Sequence, residues 1–227
     1  MIEFQAFAKI PRYARDCIVS EKIDGTNAQI IVHDVYQHDP VEQPSIPWVW
    51  KNEGGVYIFA GSTNRFIMPE NDNHGFAKWV QDNAQELVQL GPGRHFGEWW
   101  GQGINRGYGL KEKRFSLFNV IRWDRQMFEL YKIGSWEKNG RPGDRPVYQY
   151  PPGCCHTVPV VDWGMFSNVI VENSLAQLWK LGSVAEPGFE QPEGVVVFHK
   201  AGNCLFKKTL VRDEEWKGGG RKVGNYA

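Results

Sequence analysis

Lys22 is followed, one residue later, by Asp24-Gly25, in the run Glu21-Lys22-Ile23-Asp24-Gly25-Thr26-Asn27. A lysine amine attacks only when deprotonated, and an unperturbed ε-amine with a pKa of ~10.4 is mostly protonated at neutral pH. Desolvation and nearby cations both favour the neutral form. Lys207 and Lys208 are the candidate neighbours. They could also neutralise phosphate oxygens or a departing anion. Asp24 and Gly25 would shape a turn, with Gly25 permitting close backbone approach. Asn27 offers a donor and an acceptor to a phosphate or a ribose. Arg65 ends Ser62-Thr63-Asn64-Arg65, and its guanidinium suits bidentate contact with a phosphate or a terminal ribose. Each residue also has a plainer reading: a salt-bridged surface lysine for Lys22 and a surface arginine for Arg65. The common phosphate loops are absent. No GxxxxGK[ST] occurs, and Gly101–Gly107 misses GxGxxG by one residue.

The elements around these residues follow from pattern. Cys17-Ile18-Val19 is a short apolar run before Lys22, and alternation resumes over 28–33. That predicts two strands over 17–35 broken at Lys22–Gly25, with Lys22 projecting from the break into a cleft. Residues 36–54 carry prolines and no period, so they read as a loop in which Trp48 and Trp50 pack. Val56–Gly61 reads as a strand. Phe76, Val80, Ala84, Leu87 and Val88 recur at helical spacing, which predicts a helix over 75–90 with Asn73 as its cap. His95–Trp100 and Phe115–Ile121 read as strands joined by a glycine-rich basic stretch, and 133–157 as a loop. Val158–Val161 reads as a short strand. A short helix is expected over 173–181, with Leu175, Leu178 and Trp179 on one side and Gly182 closing it. Glu193–Phe198 and Leu205–Leu210 are the last strands. Strands outnumber helices and the helices interrupt irregularly, which favours α+β with antiparallel sheets over a doubly wound sheet.

Composition bounds the function. The 227 residues suit one domain, and 41% apolar residues with ten Trp and thirteen Phe can fill a core. The formal net charge is zero, which argues against a globally basic binder. Charge is uneven locally: 106–145 carries ten Lys/Arg against five Asp/Glu, 207–222 six against three, and 156–195 one against five. Such polarity is expected of a cleft that grips phosphates. Cys17, Cys154, Cys155 and Cys204 form no CxxC pair, so reduced thiols are expected, with Cys154-Cys155-His156 a weak metal motif. There is no apolar leader and no stretch near the ~20 apolar residues of a membrane helix. The expectation is a soluble cytoplasmic protein.

Taken in order, EKIDGTN (21–27), STNR (62–65), FGEWWG (96–101), FSLFNV (115–120), EGVVV (193–197) and FKKT (206–209) resemble the covalent nucleotidyltransferase superfamily of ATP-dependent ligases and RNA capping enzymes. FGEWWG followed by F-x-x-F-N is most similar to RNA ligases of the RNA ligase 2 type. The resemblance covers about 17–210 of the chain. It implies an ATP-grasp-like catalytic domain of antiparallel sheets flanked by helices. A single domain over 1–227 is expected, with a flexible tail from 211. An OB domain is not expected, since fewer than about twenty residues follow Leu210.

The resemblance also implies roles. Lys22 attacks the α-phosphorus of ATP and forms lysyl-AMP. Glu21 helps place the adenine, Glu98 accepts from ribose hydroxyls and Phe118 stacks on the purine. Ile23, Asp24, Gly25, Asn27 and Arg65 complete the nucleotide set. Glu193 contacts a metal-bound water or the substrate and acts with Lys207 and Lys208. ATP and Mg²⁺, or Mn²⁺ in its place, are the implied cofactors, and no metal ligand is assigned. RNA is the implied partner, as a nicked duplex or structured ends, with a protein partner standing in for an accessory domain. Three departures stand out: Asn119 where many relatives carry Asp, Phe198 where a lysine is usual, and adjacent rather than spaced lysines at 207–208. Lys200 could replace the lysine missing at 198. Lys207 is favoured over Lys208 because strand side chains alternate. The rival readings are a DNA ligase, a GTP-dependent capping enzyme, or a nucleic-acid-binding relative that has lost turnover.

Overall fold

A computed structural model of the chain describes residues 3–7, 9–35, 46–141 and 143–211. Residues 36–45 of the expected loop and 212–227 of the expected tail lie outside the described residues. Chain contacts define two units, Met1–Lys22 with Val160–Ala227, and Ile23–Pro159. Lys22 is therefore the last residue of its unit before the chain passes into the other.

In chain order, β1 (Asp16–Lys22) is followed by β2 (Thr26–Asp34), β3 (Trp50–Lys51), β4 (Val56–Gly61) and β5 (Phe66–Ile67). Two short helices, α1 (Phe76–Asp82) and α2 (Ala84–Leu87), lead to β6 (Gly93–Gly101) and β7 (Lys113–Leu117). Then come α3 (Val120–Trp123), α4 (Arg125–Phe128), α5 (Gly134–Asn139) and β8 (Cys155–Thr157). The chain ends its described part with β9 (Val160–Met165), α6 (Asn168–Leu181), β10 (Gly194–His199) and β11 (Cys204–Thr209).

The smaller unit is an antiparallel sheet of order β11-β10-β1-β9. One face of it is apolar. Cys17, Val19, Val195 and Val197 alternate along β1 and β10 and pack with Val171, Leu175 and Leu178 of α6. Ser167 caps α6 by accepting from the Ile170 N–H, and Gly182 ends it. Trp179, expected on the packed side, is 72% exposed. The buried stripe runs through 171, 174, 175 and 178, and residue 179 turns a further ~100° out of it.

The larger unit orders its strands β3-β4-β2-β6-β7-β8. Ala28, Ile30, Val32, Ile58, Ala60, Trp99, Phe115 and Leu117 supply the sheet's share of a core completed by Phe76, Val80, Ala84 and Leu87 from the helices. Burying each large side chain contributes roughly 1.5–3 kcal/mol. The expected antiparallel pattern holds except at the edge, where β8 pairs parallel to β7. Pro159 separates β8 from β9 where one strand was expected over 158–161, because proline has no N–H for a ladder.

Further expectations are corrected. The helix expected over 75–90 breaks at Asn83, whose φ of −105° and ψ of 10° are not helical and whose Nδ2 donates to the Trp79 carbonyl. Its cap is not Asn73. Asp72 accepts from the N–H groups of Ala77 and Lys78 instead, and Asn73 Nδ2 donates to Thr26 Oγ1. The strand expected over 115–121 stops at Leu117, because Asn119 Oδ1 accepts from the Arg122 N–H and caps α3. Residues 125–139 are helical, in three short pieces of which the middle one is a π turn at Glu129–Ile133, so the loop expected over 133–157 is helix up to Asn139 and strand from Cys155. Each piece buries only one or two apolar residues or none, so no helical period shows in the sequence.

Asn119→Asp should retain the cap, whereas Asn119→Ala should cost about 1 kcal/mol in urea unfolding. A second expectation concerns His95, which is buried and donates through Nε2 to the Gly91 carbonyl at 2.9 Å. Burial, assisted by the Arg122 charge, holds its pKa below the usual value of 6.5. The unfolded chain then binds the proton more tightly. The stabilisation is present above pH ~6.5 and is lost as pH falls below it. His95→Gln should flatten the fall in melting temperature between about pH 7 and 5; an unchanged slope would contradict this.

Candidate functional site

Alternation along β1 sends Glu21 and Lys22 to opposite faces of the sheet. Glu21 pairs with Val195 of β10, which in turn pairs with Lys208 of β11, on the face that α6 covers. It is 1% exposed. Its carboxylate accepts from Ser183 Oγ at 2.6 Å and from the N–H groups of Val184 (2.7 Å) and Ala185 (2.9 Å). The side chain expected near adenine is thus bound to the loop that follows α6.

Lys22 lies on the other face, opposite Gly194. Its Nζ donates to Glu193 Oε2 at 2.6 Å, with the lysine side chain 22% exposed and the glutamate 6%. The Leu210 N–H donates to the Glu193 carbonyl and ties down the backbone. Gly194 allows β11 to approach: a Cβ there would collide with the Lys208 carbonyl. Lys207 pairs with Val196, which shares the face of Gly194 and Lys22. Lys208 points the other way and pairs with Glu172 of α6 at 2.7 Å. Both partners are substantially exposed, so that contact is worth at most about 1 kcal/mol. The register separates the adjacent lysines: Lys207 falls on the Lys22 face and Lys208 on the helix face.

Lys200 does not join this group. It belongs to the turn beyond β10, and its N–H donates to the Asp16 carbonyl at the start of β1. Six residues of strand separate it from Gly194, about 20 Å. Phe198, the residue in the usual lysine position, pairs with Ile18 and Leu205.

The larger unit holds the remaining residues. Ile23 is buried. Asp24 accepts from Arg106 Nε at 2.8 Å and Asn105 Nδ2 at 3.0 Å, while its own N–H donates to the Tyr108 hydroxyl at 2.8 Å. Gly25 donates to Glu98 Oε1 at 3.1 Å, and its carbonyl accepts from Asn105 Nδ2. A Cβ on Gly25 would come within 2.5 Å of the Trp99 carbonyl and 2.7 Å of the Trp100 Cβ. Glycine is required there by space. The glycine-rich stretch that failed as a phosphate loop is therefore the clamp on Asp24-Gly25. Asn105, Arg106 and Tyr108 are residues the sequence reading missed. Their only signal was a cluster of hydrogen-bonding side chains among glycines.

Asn27 is paired with Glu98 in the β2–β6 register, on the sheet face opposite the core. Phe118 follows β7 on that same face and is 39% exposed. Arg65 stands in the turn between β4 and β5, and both terminal nitrogens donate to Asn71. Its fork is held in place by the short 3₁₀ turn Pro69–Asn71. Cys154 and Cys155 are free thiols. Among the described residues no group of three or more His, Cys, Asp or Glu side chains could hold a metal ion. Among those residues, too, no helix is long and apolar enough to cross a membrane.

A model of the RNA ligase family matches residues 15–209. The chain belongs to the RNA ligase family. That span takes in Lys22, the Asp24-Gly25 clamp, Glu98, Phe118, Glu193 and Lys207. Among solved structures, an arginine-to-alanine mutant of Naegleria gruberi RNA ligase with ATP and Mn is similar at 16% identity and a TM-score of 0.50. The match covers 87% of this chain and 50% of that one. A lysine-to-alanine mutant of the same ligase with ATP and Mn matches at 16% identity, with a TM-score of 0.48 and coverage of 87% and 50%. The same ligase with PPi matches at 16% identity, with a TM-score of 0.47 and the same coverage. The RNA ligase family chain thus spans about half the length of these structures, and the first of them shares its mixed α+β fold. No curated protein sequence matches it.

Glu21→Gln replaces an acceptor with a donor facing N–H groups. It should lower unfolding free energy by about 2 kcal/mol or more. A fall in ATP affinity with unchanged stability would instead place the carboxylate against the nucleotide.

Proposed function

We propose that this chain is the nucleotidyltransferase part of an ATP-dependent RNA ligase of the RNA ligase 2 type, with Lys22 as the AMP carrier. The observation that carries the reading is the 2.6 Å contact of Lys22 Nζ with Glu193, on the sheet face that also bears Lys207. A buried carboxylate fixes the direction of the amine while the lysine stays partly open to a reactant.

The chemistry follows in three displacements. Lys22 Nζ gives up a proton and bonds to the α-phosphorus of ATP, and the bond to pyrophosphate breaks. A 5′-phosphate oxygen of RNA then attacks that phosphorus and the N–P bond breaks, returning Lys22. Finally a 3′-hydroxyl attacks the activated 5′-phosphorus, loses its proton and expels AMP. Positioning and charge neutralisation dominate such steps. Lys207 supplies positive charge to the phosphates. Asn27, Glu98 and Phe118 take the nucleoside, with Phe118 stacking on the base and Glu98 accepting from the ribose. Asp24 and Gly25 act through their backbone, which the 105–108 segment holds. Arg65 contacts a phosphate or a terminal ribose.

A divalent ion, Mg²⁺ or the Mn of the Naegleria ligase structures, would neutralise phosphate charge. Glu193 is the carboxylate that would hold such an ion, with water and phosphate oxygens supplying the rest of its contacts. RNA in a nick or at structured ends is the substrate this reading assigns. A separate protein or domain would supply end recognition.

Incubation with α-labelled ATP and a divalent cation should leave denaturation-resistant label on the protein, and Lys22→Ala should remove it. Lys207→Ala should slow labelling by about a hundredfold and Lys208→Ala by far less. Label from GTP alone would move the assignment to a capping enzyme. No label from either nucleotide at any pH between about 6 and 9 would sink the reading.

A further inference from the structure

One residue beside the nucleotide half-site has no role so far. Phe96, two residues before Glu98 on β6, is 53% exposed. The Phe118 N–H donates to its carbonyl, which makes Phe96 and Phe118 cross-strand partners on the face opposite the core. Their Cβ atoms are then about 4.5–5.5 Å apart. On the other side Phe96 pairs with Gln29 of β2. The next residue of β6 on this face is Arg94, exposed, with Nη1 donating to Gln29 Oε1 at 3.2 Å. The row therefore runs Gln29, Phe96, Phe118, with a guanidinium at its edge.

Burial explains neither ring. Phe76, Phe115 and Trp99 fill the core on the opposite face, and an exposed phenylalanine pair on a strand face gains nothing from water. Two open rings on one strand face with a cation at their edge suit an unpaired nucleotide: a ring for the base and a charge for its phosphate. Gln29, whose Nε2 donates to the Ser62 carbonyl and whose Oε1 accepts from Arg94, holds that cation in place. Position distinguishes ATP from a polynucleotide. On the proposed reading the purine stacks on Phe118 and its ribose meets Glu98, so its phosphates run toward the Gly25 end of β6. Arg94 lies the other way, four residues or about 13 Å from Glu98 along the strand. A cation there serves a different phosphate.

We propose that Phe96, with Arg94 and Gln29, forms a second base-stacking position that holds an unpaired nucleotide of the RNA substrate beside the ATP purine. This rests on the ligase reading for Phe118, but its test does not require turnover. The probe is a fluorescently labelled single-stranded RNA of about twelve nucleotides, titrated with the full chain. Phe96→Ala should weaken binding about fivefold to a hundredfold, Phe96→Tyr should restore it, and a fully paired duplex should show no such dependence. Arg94→Ala should reduce the slope of log affinity against log salt by about 0.7, one phosphate's worth on a single strand. Phe96 is a surface residue, and a melting curve for each variant separates loss of contact from loss of fold. Equal RNA binding by Phe96→Ala and the unmodified protein would overturn the proposal. So would a loss confined to ATP binding, which would make Phe96 an adenine contact. The ligase reading fails separately, through absence of lysine labelling in the unmodified protein.

Discussion

The two-residue alternation of β1 is the constraint on which the smaller unit depends. Glu21 is buried on the helix-covered face with three donors on its carboxylate. Rotating the strand or slipping its register by one residue would strand that charge without partners, at a cost of several kcal/mol. The neighbouring residue must therefore face the other way, and that residue is Lys22. The same alternation, passed through β10 to β11, separates Lys207 from Lys208. The buried carboxylate of Glu21, the opposite facing of the Lys22 amine and the separation of two adjacent lysines all follow from one anchored strand.

The larger unit uses exclusion in place of anchoring. Gly25 is pressed against the backbone of β6 where no side chain fits. Glu98 holds its N–H, while Asn105, Arg106 and Tyr108 hold Asp24 and the Gly25 carbonyl. The chain leaving Lys22 is thus fixed within a few residues on both sides, by different means in the two units. Glu98 takes part in this clamp as well as presenting a carboxylate on the face of Asn27 and Phe118. A substitution at Glu98 will therefore disturb both the clamp and any ribose contact, and its effects cannot be assigned to one of them.

Much of the strand pattern was legible because each strand buries one face, and burial imprints a period of two on the sequence. β1, β2, β4, β6, β10 and β11 lie within one or two residues of their expected bounds or extend a little beyond them. Helices were less legible where a side chain overrode the period. Asn83 breaks one helix by bonding back to Trp79, and Asn119 starts another where a strand was still expected. The pieces between Arg125 and Asn139 are too short to show any period. At Asn119 the amide has a capping role that an aspartate would fill equally well, so the cap is indifferent to the departure at that position.

By itself the sequence determined which residue types are present and in what order: the lysine before Asp-Gly, the two carboxylates, the aromatic after β7 and the paired lysines. That order was enough to mark the family, because it is preserved when the chain folds. What only the tertiary structure decided is direction and company. It turned Glu21 inward, put Glu193 on the Lys22 amine, removed Lys200 to the turn beyond the far end of β10 and set Phe96 across from Phe118. These relations run between residues far apart in the chain or depend on the register of paired strands. Neither leaves a local trace, because a sequence records neighbours along the backbone while chemistry depends on neighbours in space.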